Sequence, residues 1–167
     1  MPQGLLINGK ADGWINYSNS AAAVNYTTGS PLKLLNDGLG AQTLKTYKPY
    51  GFTELFNVAT GQFNFSELVL GDEVTIRFNM TVVTSSNNQE FFNYLNLAIG
   101  GAAYSIYDGC HFYKTAGSRQ AGEIITLYMG NADTITFPTE LMFSSDANCT
   151  VKVNGFYISV KRKYYFS

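Results

Sequence analysis

The stretch Glu73-Val74-Thr75-Ile76-Arg77-Phe78-Asn79-Met80-Thr81-Val82 decides how this chain folds. Val74, Ile76, Phe78, Met80 and Val82 occupy every second place, and Thr75, Arg77, Asn79 and Thr81 fill the places between. Successive side chains of an extended strand point to opposite faces, so this alternation lays an apolar face on a core and a polar face toward solvent. A helix would need apolar residues three and four apart. Gly71-Asp72 before the stretch and Asn87-Asn88 after it are turn signals that bound the strand.

Working outward, the same period holds through most of the chain from Phe52 on. Phe52 to Phe56 and Gln62 to Phe65 read as short strands upstream. Downstream, Phe91 to Ile99 runs to Gly100-Gly101, and Ala103 to Tyr107 runs into the turn Asp108-Gly109. Cys110 to Lys114, Glu123 to Met129 and Thr134 to Phe137 follow, the last cut by Pro138, which has no ladder donor. Glu140 to Ser144 leads to the polar turn Ser145-Asp146-Ala147-Asn148. Cys149 to Val153 and Phe156 to Arg162 then flank Asn154-Gly155, a strong two-residue hairpin signal. About ten short strands at roughly ten-residue spacing predict an all-β fold, a jelly-roll-type β-sandwich of about eight to ten antiparallel strands with less than about a tenth helix.

Residues 1–50 differ in character. They are rich in Gly, Asn, Ser and Ala, and Ala21-Ala22-Ala23-Val24 is too short for a helix. They read as an extended or loop-rich N-terminal arm that lies along its own domain or reaches onto a neighbour, ahead of a β-sandwich domain over residues 51–167.

Composition narrows the function. Aromatic residues make up 15% and charged residues only 14%, against a usual quarter or so for the latter. Amides, hydroxyls and glycine fill the gap. Such a surface suits contacts with other chains or with sugars, and equally an ordinary sandwich with an uncharged exterior. A net charge of -1 offers no field for nucleic acid or an anionic membrane, and no apolar run is long enough to span a bilayer. Lys161-Arg162-Lys163 reads as a solvated chain end. Met1 to Asn8 has neither a basic nor a long apolar segment, so the expectation is synthesis in a reducing cytosol with Cys110 and Cys149 as free thiols. The sequons at Asn16, Asn25, Asn64, Asn79 and Asn148 then follow from composition.

The sequence carries no nucleophile elbow, phosphate-binding loop or EF-hand motif. His111 is the sole histidine; its neighbour Cys110 would point to the opposite face of a strand, so the two do not make a nucleophile pair. One histidine without a C-x-x-C gives no metal set. The expectation is a non-enzyme with no catalytic, cofactor-binding or metal-binding residues. A glycosidase would require two carboxylates facing one cleft. Tyr47, Tyr50, Tyr94, Tyr104, Tyr107 and Tyr113 are the candidate ligand or interface contacts, because phenol rings stack on sugars and pack between subunits; core packing is the alternative for each.

Two segments carry a family resemblance. Phe143 to Arg162, with Cys149-Thr150-Val151-Lys152-Val153-Asn154-Gly155-Phe156-Tyr157-Ile158-Ser159-Val160 at its centre, resembles the closing hairpin of small jelly-roll proteins on tailed-bacteriophage particles. Leu70-Gly71-Asp72-Glu73-Val74-Thr75-Ile76-Arg77-Phe78 resembles a recurrent strand of such proteins and of trimeric tumour-necrosis-factor-like knobs. The likeness extends in character over residues 52–162 and in detail over these two segments. It implies a structural protein of a bacteriophage virion, a capsid decoration (cement) protein forming homotrimers. The alternative is a receptor- or carbohydrate-binding knob of a tail or head fibre. The implied partners are further copies of the chain, the major capsid or tail protein and a host-surface glycan, with no cofactor. The implied place is the virion surface after synthesis in the host cytoplasm.

Overall fold

The computed structural model describes residues 12–163. In chain order the strands are β1 (Gly13–Ser18), β2 (Val24–Tyr26), β3 (Leu32–Lys33), β4 (Phe56–Asn57), β5 (Gln62–Phe63), β6 (Glu73–Thr84), β7 (Gln89–Leu97), β8 (Tyr104–Tyr113) and β9 (Gly117–Tyr128). A one-turn helix α1 (Ala132–Thr136) precedes β10 (Glu140–Ser145) and β11 (Cys149–Lys161). Strands make up 52% and helix 3%, so the chain is the all-β sandwich its period predicts.

Two sheets face each other. One runs β1-β11-β6-β9, with β2 also paired to β11; the other runs β3-β10-β7-β8. All pairings are antiparallel. From β6 onward the chain changes sheet at β7, β9, β10 and β11, which is how a jelly roll interleaves its strands. Val74, Ile76, Phe78, Met80 and Val82 of β6 are all buried, as their alternation requires. Phe156, Ile158 and Val160 join them from β11, and Phe91, Leu95, Leu141 and Phe143 face them from the other sheet. The β4–β5 hairpin closes one end, where the rings of Phe56 and Phe63 lie 5.1 and 5.5 Å from that of Phe156.

Several local readings are revised. Asn154-Gly155 is not a hairpin turn. β11 continues through it, and the register slips by one residue, from Val153 opposite Met80 to Gly155 opposite Asn79. Asp108-Gly109 is likewise a bulge within one long β8, at the slip between Phe92 and Asn93. In both cases the partner strand runs on past the dipeptide, so pairing resumes and the extra residue is absorbed as a kink. Thr134 to Phe137 is not a strand: Asn131 caps α1, its side chain accepting from the Asp133 N–H at 2.8 Å. Phe52 to Phe56 and Gln62 to Phe65 shrink to two-residue strands, although Phe52, Leu55 and Phe65 stay buried.

Lys161-Arg162-Lys163 is not a solvated chain end. Arg162 is 5% exposed, and its guanidinium lies 2.7 Å from Asp72, itself fully buried. The pair ties the end of β11 to the turn that opens β6, and Arg162 also lies over the ring of Phe52 at 4.5 Å.

The segment 12–50 is loop-rich and packs along its own sandwich. Its strand β1 pairs with β11 from Gly13 opposite Val160 to Ser18 opposite Gly155. It sends Ile15, Tyr17, Tyr26 and Leu34 into the core. The following loop lies against the free edge of β1: Trp14 N–H donates to Tyr47 O at 2.8 Å, and Asn16 N–H to Leu44 O at 2.9 Å. Met1 to Asn8 falls outside the described residues.

Candidate functional site

The six tyrosines singled out by sequence do not form one site. Tyr94 and Tyr107 are brought together on the outer face of the four-stranded sheet, opposite each other in register, with rings stacked at 5.0 Å. Phe92 lies 5.9 Å from Tyr107, which is 67% exposed, whereas Tyr94 is buried beneath it. Tyr113 turns inward onto Phe91 at 5.4 Å. Tyr104 shares a hydrogen bond with the Thr134 hydroxyl. Tyr50 is exposed in the loop that follows Tyr47.

Tyr47 belongs to a different row, which crosses the outer face of the five-stranded sheet. Its ring lies 5.0 Å from Trp14 on β1, and Trp14 lies 5.5 Å from Tyr157 on β11. The Arg77 guanidinium of β6 sits 5.1 Å above the Tyr157 ring, a cation–π contact that fixes both. Trp14, Tyr157 and Arg77 were not among the sequence candidates. They meet because the antiparallel register sets residues far apart in the chain side by side.

This row opens into a groove. A cavity of about 180 Å³ is lined by Asn16, Ser18, Gln42, Arg77, Asn79, Asn154, Gly155 and Tyr157. A second, of about 510 Å³, is lined by Asn79, Met80, Gln120, Ala121, Gly122 and Asn154. They share Asn79 and Asn154, so one trough runs from β1 across β11 and β6 to β9. Its floor is low because two strand positions are glycine. A Cβ on Gly122 would stand 2.6 Å from the Asn79 side-chain oxygen, and one on Gly155 would stand 3.0 Å from the Tyr17 carbonyl. The β11 bulge inserts Asn154 at this point, and its amide donates to Thr81 Oγ1 at 3.1 Å. The amides come from four strands and a loop; what the sequence offers toward finding them is the amide content of outward-facing strand positions such as Asn16 and Asn79.

His111 stacks on Phe91 at 4.7 Å, and its Nε2 lies 2.5 Å from Glu123 Oε1 on β9, so it joins the edge strands of the two sheets. Cys110 is exposed, next to Phe92 in register, while Cys149 is buried on the other sheet. The neighbours Cys110 and His111 thus face opposite ways, as strand geometry requires. Glu54 and Glu67 line a common cleft of about 390 Å³ beside Lys45 and Phe56. Each has protein partners. Glu54 accepts from the Tyr17 hydroxyl at 2.5 Å and from Lys45 Nζ at 2.7 Å. Glu67 accepts from the Thr53 N–H at 2.9 Å. Burial, followed by the Glu54 carboxylate, holds the Tyr17 phenol well above its ordinary range. Among the described residues, no group of three or more His, Cys, Asp and Glu side chains is placed to hold a metal.

The β8–β9 side of the sandwich carries large apolar side chains in solvent. Phe112 of β8 is 56% exposed, and Ile124 and Tyr128 of β9 are 63% and 64% exposed. Phe112 and Tyr107 point out of the four-stranded sheet, and Ile124 and Tyr128 point out of the five-stranded sheet.

No protein-family model matches the chain, and no curated protein matches it in sequence. In structure it is similar to Eiger TNF from S. frugiperda, with a TM-score of 0.50 and 9% identity over 93% of this chain and 96% of that one. It is also similar to the CBM22-1 xylan-binding domain of Paenibacillus barcinonensis Xyn10C, with a TM-score of 0.47 and 13% identity over 91% of this chain and 97% of that one. A further similarity is to infectious bursal disease virus Gx strain, with a TM-score of 0.42 and 8% identity over 93% of this chain and 37% of that one. At 9% identity the likeness to the first of these concerns the fold alone, a jelly roll.

Proposed function

We propose that this chain is a non-enzymatic structural protein of a bacteriophage virion, a capsid decoration protein that sits on the particle surface as a homotrimer. The observation that supports this reading is the set of exposed apolar side chains on the neighbouring edge strands, Tyr107 and Phe112 on the outer face of β8 and Ile124 and Tyr128 on the outer face of β9. Long edge strands in soluble proteins are ordinarily blunted by charge or proline. Here the flank carries rings and an isoleucine, and burying each such side chain is worth about 1.5–3 kcal/mol. Low charge is also characteristic of the centre of subunit interfaces. The number three comes from the family resemblance; the exposed apolar side chains of β8 and β9 argue for self-association. Light scattering at micromolar concentration tests it, with three times the chain mass expected for the protein and a monomer expected for Ile124→Asp. A monomeric parent protein would end the proposal. Imaging of the parent particle tests the place, with density on the capsid shell expected for a decoration protein.

A second reading, the receptor- or carbohydrate-binding knob of a fibre, is favoured by the amide-lined groove with aromatic rings at one end. Density at a fibre tip would select it over decoration.

A further inference from the structure

We propose that the groove across the outer face of the five-stranded sheet binds a neutral oligosaccharide. This rests on the carbohydrate-binding reading and supplies it with a site and a ligand class, in a place that none of the sequence candidates except Tyr47 marks. The first argument is the donor and acceptor set. Five side-chain amides line the trough: Asn16, Gln42, Asn79, Gln120 and Asn154. Each amide offers two N–H donors and a carbonyl oxygen, which matches a sugar hydroxyl that both donates and accepts. Within the described residues the side chains of Gln42, Asn79 and Gln120 make no hydrogen bond. Asn16 spends one N–H on the Gln42 carbonyl at 2.6 Å and Asn154 one on Thr81, which leaves both side-chain oxygens to accept.

The second argument is charge. The one charged side chain in the lining is Arg77, and it is engaged over Tyr157. A phosphate or sulfate would call for several cations, and a metal or ammonium ion for carboxylates; the lining has neither. A neutral, hydroxylated ligand is the chemistry that remains. The third argument is the aromatic row. Tyr157 lies in the groove, Trp14 beside it and Tyr47 beyond, with successive ring centroids 5.5 and 5.0 Å apart. Arg77 covers the Tyr157 ring, so Tyr47, the exposed ring of the three, is the one whose face can take up the C–H side of a sugar ring while the polar edge turns to the amides. The fourth is the floor. Gly122 leaves the trough open where any side chain would meet Asn79, and the β11 bulge adds the Asn154 amide, a place where bulges commonly re-aim a side chain.

The test is a screen of the intact chain against a panel of neutral and acidic oligosaccharides, followed by titration of the best binder against four forms of the protein. These are the parent, Asn79→Ala, Gln120→Ala and Tyr107→Ala, each checked by thermal melting for an unchanged fold. The expected result is binding of a neutral oligosaccharide that does not weaken with added salt, because a neutral ligand pairs no charges with the protein. Asn79→Ala and Gln120→Ala should each weaken it about tenfold, the effect of one lost hydrogen bond, and Tyr107→Ala on the opposite sheet should leave it unchanged. Binding that survives both amide substitutions but is lost in Tyr107→Ala overturns the groove and leaves the carbohydrate-binding reading standing. No binding to any oligosaccharide at millimolar concentration ends that reading and the groove with it. Amide substitutions that change the oligomeric mass without changing sugar binding would assign the groove to contact between copies, and also overturn it.

Discussion

Replacing Asp72 with alanine should cost this protein a large part of its stability. Asp72 is fully buried. Its Oδ2 accepts from Arg162 Nη1 at 2.7 Å and from the Val69 N–H at 3.0 Å, and its Oδ1 accepts from the Lys163 N–H at 2.9 Å. The Arg162 side chain is 3% exposed, so it cannot turn to water without opening the end of the sandwich. Removing the carboxylate leaves a buried guanidinium whose remaining partners are the Glu67 carbonyl at 3.1 Å and the Phe52 ring. Breaking one side of a buried ion pair costs about 3–5 kcal/mol. At about 2–4 °C per kcal/mol for a domain of this size, the melting temperature should fall by roughly 6–20 °C. Chemical denaturation of Asp72→Ala beside the parent measures the loss directly. The companion variant, Asp72→Ala with Arg162→Met, should recover the part due to the stranded guanidinium, while the Val69 and Lys163 N–H groups still lack the carboxylate that accepts from them. A loss below about 1 kcal/mol in Asp72→Ala would show the pair to be solvated, and the reading of 161–163 as a solvated chain end would return.

Three further outcomes are expected. Asn93 is fully buried between the sheets and neither atom of its side-chain amide has a hydrogen-bond partner, so Asn93→Leu should stabilise by about 1–2 kcal/mol in urea denaturation; a destabilised variant would mean that the amide is satisfied. A thiol reagent should find one reactive cysteine, Cys110, in the native protein and two after unreduced denaturation, since burial pushes the Cys149 thiol up to about 11; no thiol in the denatured chain would refute this. Stability should fall as pH rises from about 9 to about 11. Below that range Cys149 is protonated in both states, and within it the unfolded chain ionises while native Cys149 stays protonated, which favours unfolding; Tyr17, also raised, extends the decline upward, and a flat profile over this range would contradict both shifts.

The alternation in Glu73 to Val82 was enough to place β6 with its apolar side inward, because burial of one face leaves a strand only one register. The same logic located most of the later strands, and adjacency on a strand correctly set Cys110 and His111 on opposite faces. Capping was the signal overlooked at Asn131: a strand-like apolar composition in Thr134 to Phe137 gave way to a helix turn because the amide supplies the first N–H acceptor. The candidate site was legible only in part. Tyr47 lies in the aromatic row and Tyr94 stacks on Tyr107, but Trp14, Arg77, Tyr157 and the groove amides were invisible as a group.

What the sequence determines by itself, then, is everything that depends on nearest neighbours along one strand: period, face, and the all-β class that follows. What only the tertiary structure decides is what happens where strands meet. Asn154-Gly155 and Asp108-Gly109 suit a tight turn and a bulge equally well. The choice fell to the bulge because β6 and β7 continue past them and keep offering hydrogen bonds. Arg162 is buried because β11 ends beside the turn holding Asp72, 90 residues earlier in the chain. The groove exists because Asn16, Asn79, Gln120 and Asn154 sit on four strands whose order in the sheet, β1-β11-β6-β9, is not their order in the sequence. Side-chain alternation acts over two residues; strand order is settled by packing of the whole core, and no local pattern carries it.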